Sequence, residues 1–228
     1  QWPVSRSSLR EAFLKLAAEG LVELQHQRGA CVRRMTRADL AELFQLRECL
    51  EGFAAGLNLL NGLGNLASRA PAMVAKYRDG LLPEPTAYGE AEEALQALLV
   101  STVATVDECM LRLDFAGGIG AMKSFVDAVN LYVTEQAPWA LAKDPANDER
   151  LSTVLYTICE SLRAIAVLHH AVMPKATASL WDQIGAAASL GPIGEQVVTD
   201  AGRWGQLPVG TTITKGAILF PRLEETAD

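Results

Sequence analysis

No stretch of this 228-residue sequence gives 18 consecutive uncharged apolar residues, the length a bilayer-spanning helix needs. The most apolar run, Leu162 to Met173, carries Arg163, His169 and His170 and is too short. No basic-then-apolar segment of the secretory type opens the chain. The four cysteines, Cys31, Cys49, Cys109 and Cys159, are scattered, without a C-x-x-C pair or a histidine at ligand spacing. That argues against a structural zinc site or a disulfide framework and for free thiols in a reducing compartment. Metal ligands, cofactors and membrane association are therefore not expected, and the expected location is cytoplasmic.

Net basic charge is also lacking. The formal charge is −7, which argues against nucleic-acid binding through global charge. The distribution is uneven, however. Gln1 to Arg37 holds seven Lys/Arg against three acidic residues, a local +4, which leaves −11 for the remainder. A local phosphate-contacting patch stays compatible with that balance.

What is present is helical periodicity. Ser5 to Leu21 reads as a helix with Leu9, Ala12, Phe13, Leu16 and Ala17 on one face. Leu21 to Arg34 reads as a hairpin turning at Gln27-Arg28-Gly29, and Thr36 to Asp39 as the cap of a further helix. Helical patterns follow over Asn61–Tyr77, Tyr88–Leu113, Ile119–Gln136, Asp148–His170 and Lys175–Ile184. Loops are expected at Asp79–Pro85, at Pro138 and at Asp144–Asn147. The segment 191–216 is rich in Gly and Pro and is expected to end in a two-stranded pairing of Thr211–Thr214 with Ala217–Phe220 around Lys215-Gly216. The expected fold class is mainly α: a helical bundle with a helix-plus-wing hairpin at the N-terminus and an irregular tail ending in a β-hairpin.

Four segments carry a family resemblance. They are Asn61 to Arg69 with Met73, Lys76-Tyr77, Asp79-Gly80 and Pro83; Tyr132 to Lys143; Leu155 to Trp181 through Met173-Pro174; and Trp204 to Gly210 with Leu219 to Arg222. In this order and spacing, 58–228 resembles the anticodon-binding domain of bacterial methionyl-tRNA synthetases. The resemblance implies a bundle of the class I synthetase anticodon-binding type and binding to the anticodon stem-loop of methionine tRNA. It implies that Asn65 and Arg69 read the anticodon and that Trp139 stacks on one of its bases. Positions i and i+4 share a helix face, an amide and a guanidinium suit base edges, and an exposed indole offers a stacking platform. On pattern alone, Asn65 and Arg69 read as solvated helix-surface residues and Trp139 as a core or helix-packing aromatic.

Departures from the family accompany the match. Pro71, two residues after Arg69, is expected to kink the helix at the reading face. Gly117, Gly118 and Gly120 weaken a helix start. The HIGH-like and KMSKS-like motifs of the catalytic domain are lacking in this sequence, so aminoacylation by this chain alone is not expected. The Trp204–Arg222 tail, which in the family packs back toward that domain, is expected to lie exposed.

Residues 1–57 are similar to a truncated winged helix of the GntR family, FadR-like branch. Val4 to Val22 is similar to the recognition helix, Gln27 to Arg33 to the wing, and Thr36 to Ala55 to the start of the effector domain. That resemblance implies contacts with duplex DNA from Ser5, Arg6, Ser7, Arg10 and Arg28. Three readings stay open: an RNA-binding module, a DNA-binding regulator fragment, and a chimeric fold without retained activity. The oligomeric state is not readable from the sequence.

Overall fold

The computed structural model describes residues 6–18, 22–25, 29–32, 59–217 and 219–220. The chain divides into two units, Gln1–Cys49 and Leu50–Asp228.

In the first unit, α1 (Arg6–Ala18) is followed by an antiparallel pair, β1 (Val22–Gln25) and β2 (Gly29–Val32), in the register Val22 opposite Val32. Gly29 opens β2 at φ 85°, a left-handed conformation that favours glycine. On α1, Phe13, Leu16 and Ala17 are half-buried, whereas Leu9 and Ala12, expected on the same inward face, are exposed. The helix expected after Thr36, and its run through Phe53 into Asn61, fall outside the described residues up to 58.

The second unit is a bundle of α2 (Leu59–Arg78), α3 (Glu90–Leu111), α4 (Phe115–Gln136), α5 (Pro138–Leu141), α6 (Asp148–His169), α7 (Pro174–Gln183), α8 (Ala186–Leu190) and α9 (Val198–Ala201). Every residue of α6 from Leu151 to His169 is buried. Helices α2, α3, α4, α5, α7 and α9 all pack on it. Two stretches, Glu90–Leu111 and Pro145–His169, have the length and apolarity of a membrane span, but the second is 94% buried inside the bundle. It reads as the central helix of a packed core.

That centrality requires α6 to bury charge. Glu160 and Arg163 are 0% and 1% exposed and meet at 2.8 Å. The Arg163 guanidinium donates to the carbonyls of Asp200, Ala201 and Arg203, while Glu160 accepts from the backbone N–H groups of Gln206 and Leu207. Burial pushes the Glu160 carboxyl up, and Arg163 with the two backbone donors pulls against it. Both charges thus spend their remaining bonds on one backbone segment, 200–207, and fix it to the core.

The tail is only in part the exposed surface expected from the sequence: Val209 is 51% exposed, but other large apolar side chains of the described tail are not. Leu207 and Ile213 are 1% and 3% exposed, and Leu219 and Phe220 pack against the core. Nor does Thr211–Thr214 pair with Ala217–Phe220 among the described residues. Leu82 donates to the Thr211 carbonyl at 2.9 Å, Ile213 to Gly80 at 2.8 Å and Thr214 to Gln183 at 2.8 Å. The extended chain leaving α2 offers these segments backbone partners beside a core that takes Leu82 and Ile213.

Two expected weaknesses resolve differently. Helix α2 continues through Pro71 to Arg78. Pro71 is buried, so the ring and its missing hydrogen bond lie away from exposed Asn65 and Arg69. The glycines of α4 lie inside the helix and two are close approaches: a Cβ on Gly117 would run into the capping Asp114 carboxylate, and one on Gly118 would meet Met110 Cε at 2.8 Å. Nothing lies within 4 Å of a Cβ on Gly120.

The buried pair predicts that Glu160→Gln, which strands the guanidinium, lowers unfolding free energy by about 3–5 kcal/mol in urea titrations. Proteolysis of the variant should begin in 198–207. Buried His169 gives a second expectation. Its Nδ1 faces the Ile165 carbonyl at 2.9 Å, Nε2 has no partner, and burial pushes the imidazole down to about 4. The unfolded chain, near 6.5, binds more protons between these values. Stability is therefore complete above about 6.5 and is lost as pH falls through 4, on the order of 3 kcal/mol. His169→Gln should flatten that part of the urea-midpoint profile against pH; an unchanged slope contradicts the assignment.

Candidate nucleic-acid interface

Helix α2 presents one polar stripe. Asn65, Arg69 and Lys76 stand at i, i+4 and i+11, within roughly 40° of one another around the axis, and all three are exposed. The opposite face, Leu63, Leu66, Ala70 and Val74, is buried in the core. Asn130 of α4 donates to the Gly62 carbonyl at 3.2 Å and ties down the start of α2. At its other end Arg78 donates to the Asp148 carboxylate at 2.8 Å and to Ser152 at 2.9 Å, fastening the helix to α6.

Trp139 reaches this stripe through a sharp change of direction. Ala137 ends α4 in the left-handed region at φ 42°, which disfavours a residue with a Cβ by about 1–2 kcal/mol. Pro138 follows as the first residue of α5 and is buried, which leaves Trp139 on the outside, 40% exposed. The strain is held by a polar cluster at the end of α4. Arg150 of α6 grips both oxygens of Glu92 at 2.9 and 2.7 Å and also donates to Gln136, the last residue of α4. Tyr132 donates to the same carboxylate, as does the Gly89 N–H at 2.8 Å. Burial opposes ionisation of Glu92, but Arg150, Tyr132 and Gly89 outweigh it and hold the carboxyl below its ordinary range. Burial, reinforced by that carboxylate, raises Tyr132, so its hydroxyl stays a donor.

The two arms meet. The Arg69 guanidinium carbon lies 5.2 Å from the centroid of the Trp139 ring, within cation–π range. Trp139 is thus not the core aromatic that pattern alone allows. Asn65 lies one turn from Arg69 on the same exposed stripe. The arrangement offers a flat indole, a planar cation and an amide together, groups suited to stacking on and bonding an unpaired base.

Sequence reading gave no role to Lys76 or Lys143, although Lys76 continues the stripe of Asn65 and Arg69. Of the residues singled out for DNA contact, Arg10 is exposed on α1, and Arg6 and Ser7 belong to the same helix. Ser5 and Arg28 lie outside the described residues. No three His, Cys, Asp or Glu side chains converge as a metal site among the described residues. The His169 and His170 rings bond separately, to Ile165 and Thr177.

Residues 82–228 match the family model described as the anticodon binding domain of methionyl tRNA ligase. Trp139 falls within the match, Asn65 and Arg69 upstream of it. The chain is 54% identical over 170 residues to a methionine–tRNA ligase of Streptomyces coelicolor, an alignment covering 73% of this chain and 32% of that protein. It is 42% identical over 175 residues to the Deinococcus radiodurans enzyme, covering 75% and 24%. The crystal structure of apo Mycobacterium tuberculosis methionyl-tRNA synthetase superimposes with a TM-score of 0.67 at 29% identity, over 75% of this chain and 34% of that one. The chain thus spans about a third or less of these relatives. With most of its length inside the matched domain, the chain belongs to the family of methionyl-tRNA ligase anticodon-binding domains.

Proposed function

We propose that the bundle is an RNA-binding module that reads the CAU anticodon of methionine tRNA with Asn65, Arg69 and Trp139. The observation that carries this reading is the exposed stack of Arg69 on Trp139, built by two separate elements on a strained and braced backbone. An exposed aromatic and a cation without an ion pair among the described residues serve little purpose in packing, and both are ready for a splayed-out base. In this reading the indole supplies a stacking surface, Arg69 a stacking or bidentate contact, and Asn65 both a donor and an acceptor for a base edge. The module carries no aminoacylation chemistry of its own. Because the chain is net negative, affinity comes from stacking and local contacts rather than from overall charge.

The test is a titration of a CAU anticodon stem-loop, a loop-mutated stem-loop and duplex DNA at fixed salt. CAU should bind in preference to both competitors. Trp139→Ala should weaken it by about 1–3 kcal/mol, roughly 5- to 150-fold. Asn65→Ala and Arg69→Ala should reduce the discrimination between the two loops. All three residues are exposed, so each variant should keep its unfolding free energy within about 0.5 kcal/mol. Equal binding of both loops, unaffected by Trp139→Ala, rejects the reading, and a preference for duplex DNA abolished by Arg6→Ala and Arg10→Ala replaces it.

A further inference from the structure

The C-terminal segment returns along the flank of α2. Its pairing with Gly80 and Leu82 starts it beside the end of that helix. Lys215, Gly216, Ala217 and Leu219 then pass Pro71, Ser68 and Ala67, with a cavity of only about 40 Å³ left between them. Phe220 comes to lie on Gly64, where a Cβ would stand 3.2 Å from its ring. The segment thus follows α2 backwards from Arg78 to Gly64, over about 21 Å.

One buried side chain holds it there. Gln183, the last residue of α7, accepts from the Thr214 N–H at 2.8 Å through its backbone carbonyl. Its side-chain amide donates to the Ala217 carbonyl at 3.1 Å. Gly216 lies so close against the Gln183 side chain that a Cβ would not fit.

Helix α2 therefore rests on two surfaces. Its core face of Leu63, Leu66, Ala70 and Val74 and its flank of Gly64, Ala67, Ser68 and Pro71 are roughly 100° apart around the axis. A helix seated on one surface can roll, whereas one held on two cannot. Ser68 is about 60° from Asn65, so the segment runs beside the polar stripe without covering it. A roll of about 10° carries a side-chain tip, at a radius of roughly 6 Å, through about 1 Å. Hydrogen bonds to a base edge do not survive such a shift. Aromatic stacking does, since it operates over centroid separations of about 4.5–7 Å.

We propose that the segment from Thr211 to Phe220 is a positioning strap: clasped by Gln183 and ending with Phe220 on Gly64, it fixes the roll of α2 and so the aim of Asn65. The strap rests on the anticodon reading above. It touches no RNA, and it governs discrimination between loops rather than the stacking on Trp139.

The full chain carrying Phe220→Ala, titrated at fixed salt with the CAU stem-loop and the mutated loop, tests this. The ratio of the two affinities should fall about three- to tenfold. In NMR spectra of the free variant the Asn65 side-chain amide should move, and the Trp139 indole should stay in place. Phe220→Leu keeps apolar bulk over Gly64 and should restore most of the ratio. Gly64→Ala separates positioning from stability. Alanine favours a helix over glycine, so the urea midpoint should hold or rise; the added Cβ displaces the Phe220 ring, so the ratio should still fall. Selective CAU binding whose ratio is unchanged in Phe220→Ala and Gly64→Ala, or falls only where stability falls, overturns the strap and leaves the anticodon reading standing. Absence of CAU preference in the unaltered chain overturns both.

Discussion

Helix α6 buries every side chain from Leu151 to His169, and that burial on all sides constrains the rest of the bundle. A helix surrounded by neighbours must satisfy whatever polar groups it carries inside the protein. Glu160 and Arg163 meet that requirement jointly, and their surplus bonds recruit the backbone of 200–207. The irregular C-terminal segment is ordered from the core outward. Its own sequence, rich in Gly and Pro, has little helical or strand preference with which to order itself.

The same helix sets the proposed recognition face. Its N-terminal end carries Asp148, which receives Arg78 from α2, and Arg150, which receives Glu92 from α3 and Gln136 from α4. These contacts bring the end of α4 beside α2 and brace the left-handed Ala137. With the turn fixed, Pro138 points inward and Trp139 outward onto Arg69. In the proposed reading, a platform assembled before RNA arrives avoids ordering two long side chains at the moment of binding.

Much of this was legible from residue order, and the gaps have physical causes. The periodic runs placed α2, α4, α6 and α7 to within a few residues, because amphipathic or wholly apolar helices announce themselves locally. The pairing of 211–214 was misassigned because strand-like segments show their propensity and not their partner; the partner here is the chain leaving α2. Pro71 and Gly117 read as defects because sequence does not reveal the side each faces or what lies opposite. Asn65 and Arg69 were recognisable as an i, i+4 pair, whereas the meeting of Arg69 with Trp139 depends on packing between distant elements. The Glu92–Arg150–Tyr132 cluster was invisible for the same reason, its members being 14 or more positions apart from their partners.

The central claim is that Trp139, held against Arg69, is the surface on which an anticodon base lands. The indole N–H resonances observed by NMR during titration with the CAU stem-loop test it directly. Trp181, whose indole donates to the Gly191 carbonyl inside the core, serves as the internal reference. The account predicts that the Trp139 indole shifts with saturation, together with backbone amides of 65–76 and 138–145, while Trp181 stays in place. A saturating stem-loop that leaves the Trp139 resonance unmoved, or moves only signals on other faces, contradicts it.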